Sequence, residues 1–454
     1  MEVTRTLARF VVDHRYADVP QKVRHEGARS FLNWVGCAVG ASRHETVRRA
    51  LAALDEFSGP REATVLGRGD RLDIMLAALM NGMTSHTFDF DDTHLKTIIH
   101  PSGPVASAIL ALAERKPVKG DAFLHAFILG VETECRIGNA VYPSHYDVGW
   151  HITATAGVFG AAAAAGRLLG LNEQQMVWAL GIAATQSSGL REMFGTMVKP
   201  MHPGNAARNG LLAALLASKD FTSSEQGIEG LRGFANVLAT TRNYDEISRG
   251  LGTTWEAALN TYKPFACGIV EHPAIDGCIQ LRNEHTLKAG DIESIALKVH
   301  PLVLELTGKK TPQTGLEGKF SVYHSCAVAV IHGAAGEAQY SDETVRDPEV
   351  IALRDRVTAA AETGVHEDAV HVTIRLKSGK VLEKHVEHAV GSLDRPMSDS
   401  DLEAKFRGLA DGILSKTETE RLIRLCWDIG KLKDAAEVAR ASVPGRKSAR
   451  RAAS

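Results

Sequence analysis

The sequence predicts a mainly α protein: a large all-helical domain built from both chain ends, with an α+β lid domain inserted between them. Three observations predict it. Up to about residue 264 apolar residues recur at helical spacing, with no strand alternation of any length. From Asp291 the pattern turns to period two, with β-branched residues and a Ser-Gly turn. After GSLDRPMS the chain returns to helical spacing, in a stretch too small to hold a core by itself. The expected division is 1–264 and 393–440 for the helical domain, 265–392 for the lid, and 441–454 for a basic, disordered tail.

Taken in order, TRTLARFVVDHRY and VRHEGARSFLNWVGCAVGAS carry helical apolar stripes, with Gly36, Ala38 and Gly40 small enough for close helix contact. VRRALAALDEFSG ends at a glycine, as helices often do. REATVLGRGDRLD reads as a short β-like segment before the helix IMLAALMNGM. VASAILALAERKPVKG and DAFLHAFILGVETECRIGNAV are further helices. Residues 149–189 are so dense in Ala and Gly that buried helices packed backbone to backbone are expected. GTMVKPMHPGNAARNGLLAALLAS follows. In the lid, ESIALKVH, LVLELT and VHVTIRLKSGKVLEKHVEH read as strands, while SVYHSCAVAVIHGA and DPEVIALRDRVTAA read as helices. DSDLEAKFRGLA, TETERLIRLCWDIGKL and AAEVARAS close the chain as helices.

Bulk composition narrows the function classes. The chain has 454 residues and a formal net charge of -2, which argues against a general nucleic-acid binder. Its six cysteines are scattered, with no CxxC pair, so neither a zinc or iron–sulfur pattern nor a disulfide framework is expected. No signal peptide is read at the start, and apolar runs are broken short of a membrane span. A cytoplasmic protein with no membrane and no nucleic-acid partner is the expectation. The 19 histidines are many, and several stand beside Gly, Pro or acids, where a polar site would recruit them.

The chemistry concentrates in HTFDFDDTHLKTIIHPSGP, residues 86–104. Asp89, Asp91, Asp92, Thr93, His94 and His100 crowd between two apolar helices. Such groups are costly there unless they meet each other or a polar ligand. Four further clusters match it in kind. They are Gly149-Trp150-His151-Ile152-Thr153, Lys199 through Asn205, Tyr262-Lys263-Pro264-Phe265 through Glu271-His272-Pro273, and Lys319 through Ser325. Singly, each has a plain structural reading: a cap, a turn, a surface lysine. Together they describe a pocket of cations, imidazoles and hydroxyls suited to a small polycarboxylate, with an Asp or His moving a proton at the adjacent carbon. Neither a phosphate loop nor a GxSxG elbow is present, and no cofactor is expected. No metal is expected either, although Asp91, Asp92 and His94 could surround a cation.

SHTFDFDDTH with HPSGPV, GWHITATAG, GTMVKPMHPGNAARNG, YKPFACG with HPAIDG, and KFSVYHS occur in the order that resembles the MmgE/PrpD family, over nearly the whole chain up to the tail. The resemblance implies homodimers, an active site in the cleft between helical domain and lid, and one of three activities. These are 2-methylcitrate dehydratase, cis-aconitate decarboxylase and iminodisuccinate epimerase. All three make or quench a carbanion-like centre beside a carboxylate. The dehydratase is the first reading, with epimerase and decarboxylase as alternatives; a dimeric scaffold without activity is the non-enzyme alternative. By the same resemblance Lys199 and His272 bind carboxylates, His100 and His151 form the acid/base pair, Asp89 orients a histidine, and Thr93 bonds the substrate. Lys199→Ala is expected to weaken capture more than folding, as for a solvated lysine in an open cleft. Where the family often has Tyr, this chain has His324, with Tyr323 just before it. His324 is expected to face the cleft, the other possibility being that Tyr323 takes that place. One residue more than in the decarboxylase also separates Thr93 from His100.

Overall fold

The computed structural model describes residues 2–445; the greater part of the basic tail lies outside the described residues. The protein is mainly α. Its centre is a set of buried helices, Ile74–His86, Ser102–Arg115, Gly120–Val141, Ile152–Leu169 and Val198–Ala217. The Ala/Gly density is what lets them meet. A Cβ placed on Gly204 would stand 2.3 Å from the Leu79 carbonyl oxygen, and one on Gly82 would stand 2.8 Å from the Gly204 Cα. Helices Ile74–His86 and Val198–Ala217 therefore touch backbone to backbone, which only glycine permits. Ile152–Leu169 is long and apolar enough to cross a membrane, yet 83% of it is buried inside this protein, as a core helix would be.

The chain's end returns to its beginning. Asp399–Ala410 lies on Gln21–Ala41, where Phe406 fills the space beside Gly36 and Leu409 the space beside Gly40. The α+β part carries a four-stranded sheet in the order Val357–Ala361, Ile292–Val299, Val370–Leu376, Val381–Val386. The first pair is parallel and the other two are antiparallel. Helices His272–His285 and Val322–His332 accompany the sheet, and with it form a second core. That core also takes in Phe88 and Phe90, so the acidic loop is gripped by the α+β part as well as by the bundle.

Three local readings are corrected. LVLELT is not a strand: Pro301–Thr307 is a helix, with Pro301 in its first turn and the His300 ring accepting from the Leu302 amide. The fixed φ of Pro301 and the capping ring outweigh the alternating pattern. DPEVIALRDRVTAA is helical only over Pro348–Arg354 and becomes a strand at Val357–Ala361. A two-residue ladder pairs Thr93–His94 with Asn260–Thr261, too short to leave a periodic signal. It ties the acidic loop to the segment before Lys263.

Candidate active site

The helix Ile74–His86 ends in a loop that turns sharply at Asp89, whose φ of 51° lies in the left-handed region. Asp tolerates that region better than most residues. Two ammonium groups hold the carbonyls on either side. Lys319 donates to the Phe88 carbonyl (2.8 Å) and the Ala266 carbonyl (2.8 Å). Lys405 donates to the Phe90 carbonyl (2.6 Å) and the Lys263 carbonyl (2.9 Å), and stands 3.9 Å from the centre of the Phe90 ring. The same two lysines thus join the Asp89 loop to the 263–266 segment.

The turn aims Asp89 at two further cations. Lys199 lies 3.0 Å and Lys263 2.8 Å from its Oδ1. Lys263 also donates to the Asp89 carbonyl (3.0 Å), and Lys199 donates to Nε2 of His86 (3.0 Å). An ammonium has three donors. Among the described residues each lysine therefore keeps one N–H with no protein acceptor. Burial alone would raise the Asp89 carboxyl, but Lys199 and Lys263 outweigh it and hold it well below the usual carboxylate range. Burial lowers Lys199, with Asp89 opposing.

Tautomers follow from the acceptors. His86 Nδ1 faces Asp91 Oδ2 at 2.7 Å, and an ionised carboxylate cannot donate, so Nδ1 carries the hydrogen. That leaves Nε2 to accept from Lys199. Burial would raise Asp91, yet His86 and His100 keep it far below its ordinary value. His100 Nδ1 lies 2.8 Å from the Asp92 carbonyl oxygen, which can only accept; its Nε2 is therefore an unprotonated base. Burial pushes His100 down to about 3. His151 opens the helix Ile152–Leu169, shares a proton with His202 across 2.9 Å, and is driven well below its ordinary value by burial and then by Lys199. Asp92 is bonded to Ser102 (2.6 Å) and Asn260, and burial raises it to about 7.

Asp89, His100, His151, Lys199 and Lys263 line one cavity, walled by Phe194, Phe320 and Tyr146. Five positions depart from the roles or places given to them. Asp89 pairs with lysines, and Asp91 is the carboxylate that orients a histidine. Thr93 does not line the cavity; its hydroxyl stands 3.2 Å from His100 Nδ1, behind the imidazole. His324 is buried inside the α+β part. Its Nε2 faces the Gln339 carbonyl at 2.9 Å and burial lowers it to about 4, because the first turn of Val322–His332 points it at Tyr340 and away from the cleft. Tyr323, on the same turn, is buried in the second core and also lies outside the cavity. His272 is 1% exposed and lines an adjoining chamber; neither ring nitrogen makes a well-formed hydrogen bond among the described residues.

Lys263 and His86 had been given no role. The signal for Lys263 was weak: Lys263-Pro264 repeats the dipeptide Lys199-Pro200, but Lys116-Pro117 has it too, with Lys116 exposed. His86, Asp89, Asp91 and His100 bring four donor atoms close enough to surround a cation. The Lys199 ammonium already occupies the donor positions of His86 and Asp89 and would repel a metal ion there.

A sequence model described as the MmgE/PrpD N-terminal domain matches residues 5–247, and one described as the MmgE/PrpD C-terminal domain matches 265–429. The chain is 29% identical to a cis-aconitate decarboxylase of Aspergillus terreus, covering 95% of this chain and 94% of that one. It is 27% identical to the cis-aconitate decarboxylase of Homo sapiens over 95% and 92%. It is 25% identical to a 2-methylcitrate dehydratase of Cupriavidus necator over 84% of each.

Proposed function

This chain belongs to the MmgE/PrpD family, and from that premise we propose that it is a lyase acting on a small di- or tricarboxylate. One observation carries the reading: two lysines with unused donors and two neutral imidazoles face a single buried cavity. Lys199 and Lys263 take the substrate carboxylates. His100 Nε2 removes the proton from the carbon beside a carboxylate. The C–H electrons move into the carboxylate as an enediolate, whose charge the two ammonium groups hold in a dry site. In a dehydration those electrons return as the new double bond, the β-hydroxyl leaves, and it takes a proton from His151, which has gained that proton from solvent as substrate binds. Bound carboxylates raise the proton affinity of His151 for that step.

Decarboxylation is the second reading. It is favoured because relatives bearing that name match more of both chains than the dehydratases do. There the departing CO₂ leaves its electrons on carbon, and a histidine returns a proton to it. The same lysines serve both routes. A homodimer remains part of the proposal, in keeping with Leu231 and Val237, which are 84% and 63% exposed. Incubation with a panel of di- and tricarboxylates separates the readings. A new alkene absorbance without gas supports dehydration, and CO₂ release supports decarboxylation. No change in any member would overturn the lyase proposal.

A further inference from the structure

A second chamber adjoins the catalytic cavity. The inner cavity leaves about 30 Å³ open to a water-sized body, and the outer chamber about 300 Å³. Ile98, Ile269 and Val270 line both and form an apolar neck between them. The exposed wall of the chamber is mostly apolar, with Leu95, Pro273, Val390 and Leu393 beyond the neck standing beside the polar His272 and Ser392. His272, buried and without a well-formed hydrogen bond among the described residues, lines the outer chamber.

The charges around the chamber are not those of a carboxylate subsite. Glu367, Asp368 and Asp394 stand at its edge. His366 and His388 each hydrogen-bond Asp368 and keep its carboxyl below the ordinary value, against the effect of burial. Lys96 reaches the chamber, where its charge is paired with Glu246 at 2.9 Å. A polyanion entering this space would meet negative charge outside and two ammonium groups inside. Its charged end therefore belongs inward, and whatever extends past the neck should be uncharged and apolar. The inner cavity leaves little room for such a group.

We propose that the substrate is a polycarboxylate bearing an uncharged alkyl substituent longer than a methyl, which passes the Ile98–Ile269–Val270 neck and seats in the outer chamber. This rests on the carboxylate reading of the inner site. The test is kcat/KM for a homologous series of tricarboxylic acids carrying linear alkyl groups of one to six carbons, beside the unsubstituted acid. Alkene absorbance and CO₂ release are both read. Each methylene entering the chamber should raise kcat/KM about fourfold, as expected for removing a methylene from water. Leu393 is 48% exposed, so Leu393→Glu leaves the fold in place while setting a charge beside the chain. That variant should lower the hexyl-to-unsubstituted ratio of kcat/KM at least tenfold. A wild-type kcat/KM that is flat or falling with chain length, or a ratio unmoved in Leu393→Glu, would overturn the chamber's role while leaving the carboxylate reading intact. Failure of every acid, the unsubstituted one included, would remove both.

Discussion

Asp89 is the residue on which the site's electrostatics turn. Its carboxylate neutralises two ammonium groups that would otherwise face each other in a buried space. Asp89→Asn should therefore cost about 3–5 kcal/mol, the usual penalty for stripping a buried charge of its partner. Thermal melts with and without a tricarboxylate check this. The acid should raise the melting temperature of the variant more than that of the wild type, because its carboxylate replaces the missing one. Lys199 needs a revised expectation for the same reason. A lysine in an open cleft is cheap to remove, but Lys199 is 5% exposed and bonds both Asp89 and His86. Lys199→Ala should lower stability by about 2 kcal/mol as well as abolish capture. Sequence alone showed where polar residues gather against apolar helices. It could not show which of two adjacent residues a helix turn aims inward, and both Tyr323 and His324 turned out to face the second core.

At the scale of elements, two contacts place the site. The first is the glycine contact between Ile74–His86 and Val198–Ala217, which sets His86 against Lys199. Gly204→Ala forces those backbones apart and should cost about 1–3 kcal/mol, the range for overpacking, with activity falling further than stability. Denaturant melts and kinetics on the same variant compare the two losses. The second is the pair Lys319 and Lys405, one from the α+β part and one from the helix Asp399–Ala410, on either side of the left-handed Asp89. Lys319→Met and Lys405→Met should each lower kcat at least tenfold by freeing that turn. Arginine at either position should restore part of kcat, because its donors can still reach a carbonyl. Helices were legible wherever 3.6-residue periodicity was long, as in Gly120–Val141. Pro301–Thr307 was missed because seven residues hold too few turns for helical spacing to prevail over an alternating look, although Pro301 already marked a first turn.

The whole molecule keeps many histidines neutral by burial. His86, His100, His151 and His272 are all lowered for that reason first. The unfolded chain binds protons on such groups below about pH 6.5, and the folded chain does not. Stability is then fully present above that pH and is lost as pH falls toward the folded values. His100, held down to about 3, should have cost about 2 kcal/mol at pH 5 relative to pH 7, and the other buried imidazoles act in the same direction, so the melting temperature should drop between the two. A flat profile would show that these groups are not held neutral. The larger architecture was legible because the change from period 3.6 to period 2 runs over long segments. The joining of the second core to Phe88 and Phe90 was not, because contacts across that sequence distance leave no local pattern.

The central claim is that His100 moves a proton at a carbon beside a carboxylate held by Lys199 and Lys263. Mass spectrometry of substrate and product after incubation in D₂O tests it most directly, with wild type beside His100→Gln. Wild type should place one deuterium at that carbon of recovered substrate through reversal of a dehydration, or of product in a decarboxylation, and His100→Gln should lower the rate at least a hundredfold while circular dichroism shows the fold retained. Undiminished incorporation by His100→Gln, or a wild-type reaction brought to equilibrium in which recovered substrate and product both stay free of deuterium at that carbon, would contradict the account.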